Sequence, residues 1–330
     1  MGGAVISPGP ETELAARAVL ALDDESTDRN GLDLRNPLAL RTMTTNSTIP
    51  EGQILVTYGG GVNTIANLIL VRRLGLVPRV IVMAFPGHER TRTIWYRDEI
   101  MAPWLAGAGF PTVTVVSRWE EILHRTKFKN VETLGGLCER TAGLPSVAYG
   151  WKRCSFNFKR APSVWWAERQ EWCRKEWAAG RKIVKAIGYD MDEPQRARPG
   201  FDDPVENARY VPWYPLLDAG LDRAGCEALI ASEGLPSPGK SACTFCPNNT
   251  LREWEEVRRD DPEAFAYALE MSRRAAPGLQ NPDTTGLMRC NPKGKRQLHV
   301  WTEGGYPGLL PASEADDAEV QSTTPCECAL

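Results

Sequence analysis

The chain has 330 residues and a net charge of −3, with 42% hydrophobic and 25% charged residues. That length allows one large or two ordinary domains with ample core, and the composition is that of a soluble globular protein. The charge balance excludes bulk coating of nucleic acid, and no apolar run approaches the roughly 20 residues that span a bilayer. No basic-then-apolar start marks a signal peptide, so a cytoplasmic location is expected.

The first fifty residues are rich in Gly, Pro, Thr, Asp and Asn, with one helical piece near Glu11–Leu22, and read as a loosely attached arm. Strand and helix then alternate. Gln53–Thr57 is predicted as a strand and Asn63–Leu74 as a helix. Arg79–Ala84 and Thr112–Val116 are the second and third strands, with Thr93–Ala108 helical between them. Glu132–Thr141 and Pro162–Ala179 follow as helices, then Lys182–Gly188 as the fourth strand. Short β-branched runs separated by helices imply parallel strands joined by crossovers, a doubly wound α/β sheet. Tyr210–Leu216 reads as irregular and Pro-rich. Leu221–Glu233 and Leu251–Ala276 read as helices flanking a loop with Cys243 and Cys246. The segment Pro311–Leu330 carries five acids and no Lys or Arg, and is expected to be disordered.

The first strand stops in Gly59, Gly60 and Gly61, and a helical pattern restarts at Asn63 and Thr64. Glycine allows successive N–H groups to converge on one anion, and the helix adds its positive end. A tight strand-to-helix turn without ligand uses the same residues. The stretch Lys152–Lys185 holds ten Lys or Arg against three Glu; it meets phosphate or sulfate, or is a solvated helix surface.

Nine cysteines in a cytosolic chain point to reduced thiols, metal ligands or redox chemistry. Cys243 and Cys246 form a CxxC, which reads as a metal half-site or as a redox pair. Cys138 and Cys154 are the best further thiols to close a metal site, with Cys290 as a substitute. Cys173 and Cys226 fall in amphipathic helical patterns and read as packing residues. Cys326 and Cys328 lie in the tail.

Four segments in order then resemble the phosphoadenosine-phosphosulfate (PAPS) reductase-like branch of the PP-loop, or N-type ATP pyrophosphatase, superfamily. They are YGGGVNT from Tyr58, LPSVAYGWKRCSFNFKR from Leu144, IGYDMDEPQRA from Ile187, and the segment from Tyr214 to Asn249 that ends in SACTFCPNN. The GGGVN loop is similar to a subset often found in phage and mobile elements. Against the usual SGGxDS loop, Gly59 and Asn63 replace a serine and an aspartate. Against DTGxxxPET, Phe85 and Arg92 replace both acids.

The resemblance implies a Rossmann-like sheet that binds ATP or PAPS with Mg²⁺, and a C-terminal helical region bearing cysteines. Its implied layout is an arm over 1–50, a PP-loop nucleotide-binding domain over 51–200, a helical CxxC-bearing region over 201–311 and an acidic tail over 312–330. Tyr58, Gly59, Gly60, Gly61, Asn63, Thr64, Lys152, Arg153, Lys159, Arg160 and Arg196 would hold the nucleotide. Asp190 and Asp192, with Glu193 beside them, would hold Mg²⁺, and Cys154 would act as a thiol. Cys138, Cys154, Cys243 and Cys246 would carry a [4Fe-4S] cluster or Zn²⁺. The implied function is nucleotide-activated sulfur transfer, with an adenylated intermediate, a nucleic-acid or small-molecule acceptor and a sulfur-donor protein. Thiol reduction of the sulfate group of PAPS, or nucleotide binding without turnover, are its alternatives; a homodimer and the absence of membrane association complete the expectation. His88 and Glu89 read either as substrate contacts at the end of the second strand or as a surface loop.

Overall fold

A computed structural model describes residues 49–124, 132–151, 153–280, 285–289 and 295–299. Its centre is a parallel five-stranded sheet with strand order β3-β2-β1-β4-β5. The strands are β1 (Ile54–Thr57), β2 (Val80–Phe85), β3 (Val113–Ser117), β4 (Ile183–Ala186) and β5 (Tyr210–Trp213). β1, β4 and most of β2 are buried throughout, which is why their sequences are nearly continuous apolar runs. The α/β class expected from the sequence is therefore the observed one.

One expected loop is a strand. Tyr210–Leu216 begins with β5, which pairs in parallel only with β4, so the sheet continues past residue 200. Pro212 cannot donate to a ladder, and a strand with a free side tolerates it.

Helix α1 (Val62–Arg73) follows the glycine turn and is buried on nearly every side. Arg72 and Arg73 in its last turn both bind Glu233, which also complements the negative end of the helix. The connection from β2 to β3 is α2 (Thr91–Trp95), a π-helical turn Tyr96–Met101 and α3 (Ala102–Gly107). α4 (Arg118–Leu123) and α5 (Leu134–Thr141) come next. The expected helix Pro162–Ala179 is two, α6 (Ala161–Arg169) and α7 (Glu171–Ala178), separated by an extended Gln170. α8 (Pro204–Arg209), α9 (Pro215–Asp218) and α10 (Arg223–Ala231) flank β5 and α1. The predicted helix over 251–276 also divides, into α11 (Leu251–Asp260) and α12 (Pro262–Ala275), because Pro262 drives Asp261 out of helical geometry.

Two apolar cores cover the two faces of the sheet. One gathers α1, the β2–β3 connection and α10; the other gathers Ala167, Cys173, Tyr210 and several tryptophans. A third core lies apart from both. It combines Leu134–Phe158 with residues 242–298 and contains Cys138, Cys243 and Cys246. Cys226 and Cys173 sit in the first two cores as packing residues, as the sequence predicts.

Candidate functional site

The strand order reverses at β1, which lies between β2 and β4, and ligands of open α/β sheets bind where that happens. Val56 pairs with Ala186, so the chains leaving β1 and β4 emerge side by side. The packing there is tight: a Cβ on Gly188 would stand 2.7 Å from the Asn63 carbonyl oxygen.

The turn after β1 has Gly60 at φ +76°, a conformation open mainly to glycine. Gly59 N–H donates to Thr64 Oγ1 at 3.1 Å, so that amide is already used. No side chain caps the start of α1 at Gly61. The glycines also admit protein from two sides. A Cβ on Gly60 would lie 2.6 Å from Thr93 Cγ2, and one on Gly61 would lie 3.0 Å from Ser241 Oγ. Ser241 belongs to the loop that carries Cys243 and Cys246.

Asn63, Asp190, Asp192 and Arg223 form one polar knot beside this turn. Asp190 is buried; it accepts from Asp192 N at 3.1 Å and from the Asn63 side chain. Burial raises its carboxyl above the ordinary value, and the Asn63 hydrogen bond offsets part of that. Asp192 Oδ2 accepts from Arg223 N at 3.0 Å, and Arg223 Nη1 donates to Asn63 Oδ1 at 3.2 Å. Glu193, raised by burial despite its ion pair, binds Arg196 at 2.7 Å. Arg196 stacks on Tyr189 with its guanidinium carbon 4.3 Å from the ring centroid, and its Nε and Nη2 are buried without a hydrogen-bond partner.

Such orphaned atoms cluster. Tyr58 Oη, His88 Nδ1, Glu89 Oε2 and Arg90 Nε are in the same condition, all just beyond the carboxyl ends of β1 and β2. Each buried donor or acceptor left unmatched costs about 1–3 kcal/mol, so the concentration at one sheet edge needs an explanation.

The thiols form the second half of the site. Cys138, Cys243 and Cys246 are buried in the third core and Cys154 packs against it, half-buried. Cys154 is close enough to raise the other three thiols electrostatically. Burial is the larger cause: it pushes Cys138 up to about 12 and Cys243 well above the ordinary thiol value. Lys159 opposes this at Cys243 and Cys246. Its Nζ lies 3.0 Å from Glu89 Oε1, and both side chains are buried. Among the described residues, no three His, Cys, Asp or Glu close on a single point that would hold one metal ion.

The two halves are tied together. Thr244 N–H donates to His88 O at 2.8 Å and Arg90 N–H to Ala242 O at 3.1 Å, an antiparallel bridge between Glu89 and Cys243. His88 stacks on Tyr267 and leans on Phe245, inside the protein. A cleft of about 810 Å³ opens alongside, lined by Arg92, Trp95, Arg223, Lys240, Thr244 and Glu253 among others.

The expected cations go to different places. Arg196 stands at the end of β4, near the glycine turn. Arg153 stacks on Trp151. Lys159 faces Glu89 and the thiols, and Arg160 is held by Glu206 and Asp203. Lys152, Cys290, Cys326 and Cys328 lie outside the described residues. Arg223 and Ser241 were not singled out in the sequence; they reach the turn from α10 and the CxxC loop, and no local motif marks them.

No protein-family model matches the chain, and no curated protein matches it. Among solved structures it is similar to phosphoadenylyl-sulfate (PAPS) reductase from Candida auris in its phosphate complex. Identity is 13%, the match covers 71% of this chain and 92% of that one, and the TM-score is 0.36. It is also similar to the U34-tRNA thiolase NcsA from Methanococcus maripaludis with its [4Fe-4S] cluster. There identity is 11%, coverage 86% and 90%, and the TM-score 0.33. No helix among the described residues is long and apolar enough to cross a membrane.

Proposed function

We propose that the protein binds an adenine nucleotide at the carboxyl edge of the sheet and takes part in nucleotide-activated sulfur transfer. The observation that carries this reading is Arg196, whose buried guanidinium holds two unmatched donors at the topological switch point beside an uncapped helix start. A phosphate chain supplies the acceptors such a group lacks. Backbone N–H groups at Gly60 and Gly61 and the start of α1 add to the same anion site. Asp190 and Asp192 offer the oxygen ligands that Mg²⁺ takes together with a substrate's phosphates.

In this reading an acceptor oxygen attacks the α-phosphorus, the bond to the β-phosphate breaks and pyrophosphate leaves. A sulfur nucleophile then displaces AMP. Arg196 and Arg223 balance charge on the phosphate oxygens. Cys154, the most open of the four thiols, is the one able to meet an acceptor.

Cys138, Cys154, Cys243 and Cys246 are four soft donors around one apolar pocket, the donor set of an iron–sulfur cluster. Such a cluster would supply a thiophilic redox centre; the chain's part is to exclude water and to place the Lys159 charge beside two of the thiols. Anaerobic purification with iron analysis and an absorption spectrum tests this, and a colourless, metal-free protein with four titratable thiols refutes it. Incubation with ATP and Mg²⁺ tests the chemistry by release of AMP and pyrophosphate.

A second reading, binding without turnover, is favoured by Asn63. Its amide satisfies Asp190 where an acid would leave two carboxylates to share a metal. ATP that raises the melting temperature yet yields no AMP with any acceptor selects it.

A further inference from the structure

Around Cys154, on the outside of the thiol pocket, large rings stand in solvent. Tyr149 is 44% exposed, Trp151 55% and Phe156 52%. Trp119, at 50%, is on α4, which Arg118 ties to this segment by donating to the Asn157 carbonyl at 3.1 Å. Exposed aromatics gathered this way mark an interaction surface. The turn beneath them is fixed, not loose. Trp151 N–H donates to Ser146 O at 3.0 Å, Cys154 N–H donates to Ser146 Oγ at 2.8 Å, and Tyr149 Oη accepts from Leu144 N–H at 3.2 Å.

The charge on the patch separates it from an ordinary apolar contact. Arg153 lies over Trp151 at 4.6 Å, and no carboxylate binds it among the described residues. Arg160 lies over Phe156 at 5.1 Å but is committed to Glu206. The sequence from Lys152 to Lys185 has ten basic residues against three acids. Protein-facing hydrophobic patches have no need of an unmatched arginine stacked on a ring. Nucleic acid uses both parts, because every unpaired base has a face to stack and every phosphate takes a cation.

We propose that this surface binds single-stranded nucleic acid, with bases stacked on Trp151 and Phe156 and a phosphate met by Arg153. Cys154 lies between the two rings in sequence, so a strand held there runs past the mouth of the thiol pocket. The link to sulfur transfer rests on the function proposed above; the binding itself does not.

The test is fluorescence anisotropy with the full chain and short labelled oligonucleotides, single-stranded and duplex, DNA and RNA. Single strands should bind at least about tenfold tighter than duplex, and Trp151→Ala/Phe156→Ala should weaken binding about tenfold or more, as loss of base stacking does. Arg153→Gln should lower the slope of log affinity against log salt by about one. Absence of binding, equal affinity for duplex, or an unchanged Trp151→Ala/Phe156→Ala affinity overturns the proposal. So does sedimentation showing that the same pair of substitutions only dissolves a dimer. ATP-induced stabilisation, measured in parallel, separates the two readings. If it is missing while strands still bind, the nucleotide site fails and this surface stands; if it survives while strands do not bind, the reverse holds.

Discussion

Lys159 Nζ and Glu89 Oε1 lie 3.0 Å apart with both side chains buried, and the ammonium sits beside Cys243 and Cys246. Burial pulls the lysine towards neutrality, but the Glu89 charge outweighs it and leaves the ammonium above its ordinary value. An enclosed pair of this kind is costly to break from one side, by about 3–5 kcal/mol. Lys159→Met should therefore lose roughly that much in a denaturant titration. Glu89→Gln/Lys159→Met should recover much of the loss, because no unmatched charge remains.

Gly60 holds φ +76° with Thr93 Cγ2 2.6 Å from where a Cβ would stand. Gly60→Ala meets both obstacles and should cost about 1–3 kcal/mol. Thr93→Ser removes the methyl and should restore only the steric part in the double variant. Thermal melts of the four proteins decide this, and full rescue by Thr93→Ser would show that backbone strain is not involved.

Arg196→Lys keeps a positive charge near Glu193 but removes the planar array of donors. If Arg196 binds phosphate, calorimetric titration with ATP should show about a tenfold weaker affinity. Stability in the absence of ligand should change by no more than about 1 kcal/mol, since the ion pair persists. An unchanged ATP affinity removes Arg196 from the nucleotide site.

Asp190 sets a pH dependence whose sign follows from its raised carboxyl. Its ordinary value is 3.8, and the fold holds the proton more tightly than that. The stability gained from the protonated form is present below 3.8 and is lost as pH rises through the folded value. Asp190→Asn cannot ionise, so its melting temperature should gain on the native protein between about pH 4 and pH 7. A gap that narrows over that range would mean the carboxylate is stabilised, not strained, by its surroundings.

The four inner strands were legible because each is a short apolar run buried in a parallel sheet. β5 was not, since Pro212 reads as a break unless one knows that the strand pairs on one side only. The glycine turn and the acids after β4 were legible as local patterns. Their neighbours were not. Arg223 meets Asn63 across 160 positions, and Lys159 meets Glu89 across 70. A basic stretch announces its charge but not its partners, so Lys159 and Arg160 read as phosphate ligands while the fold matches each to a carboxylate. The cysteines were easier, because a shared apolar pocket needs no particular partner geometry to be guessed from residue type.

The bridge between Glu89 and Cys243 has a consequence for how this protein can vary. Residues 88–90 and 241–246 are stitched to one another by backbone hydrogen bonds, while Ser241 rests against Gly61. The loop with the thiols is thus no interchangeable cassette. Transplanted into another scaffold, it would need the turn after β2 and the glycines after β1 to travel with it, and an insertion between Ser241 and Cys246 would disturb three strand ends at once.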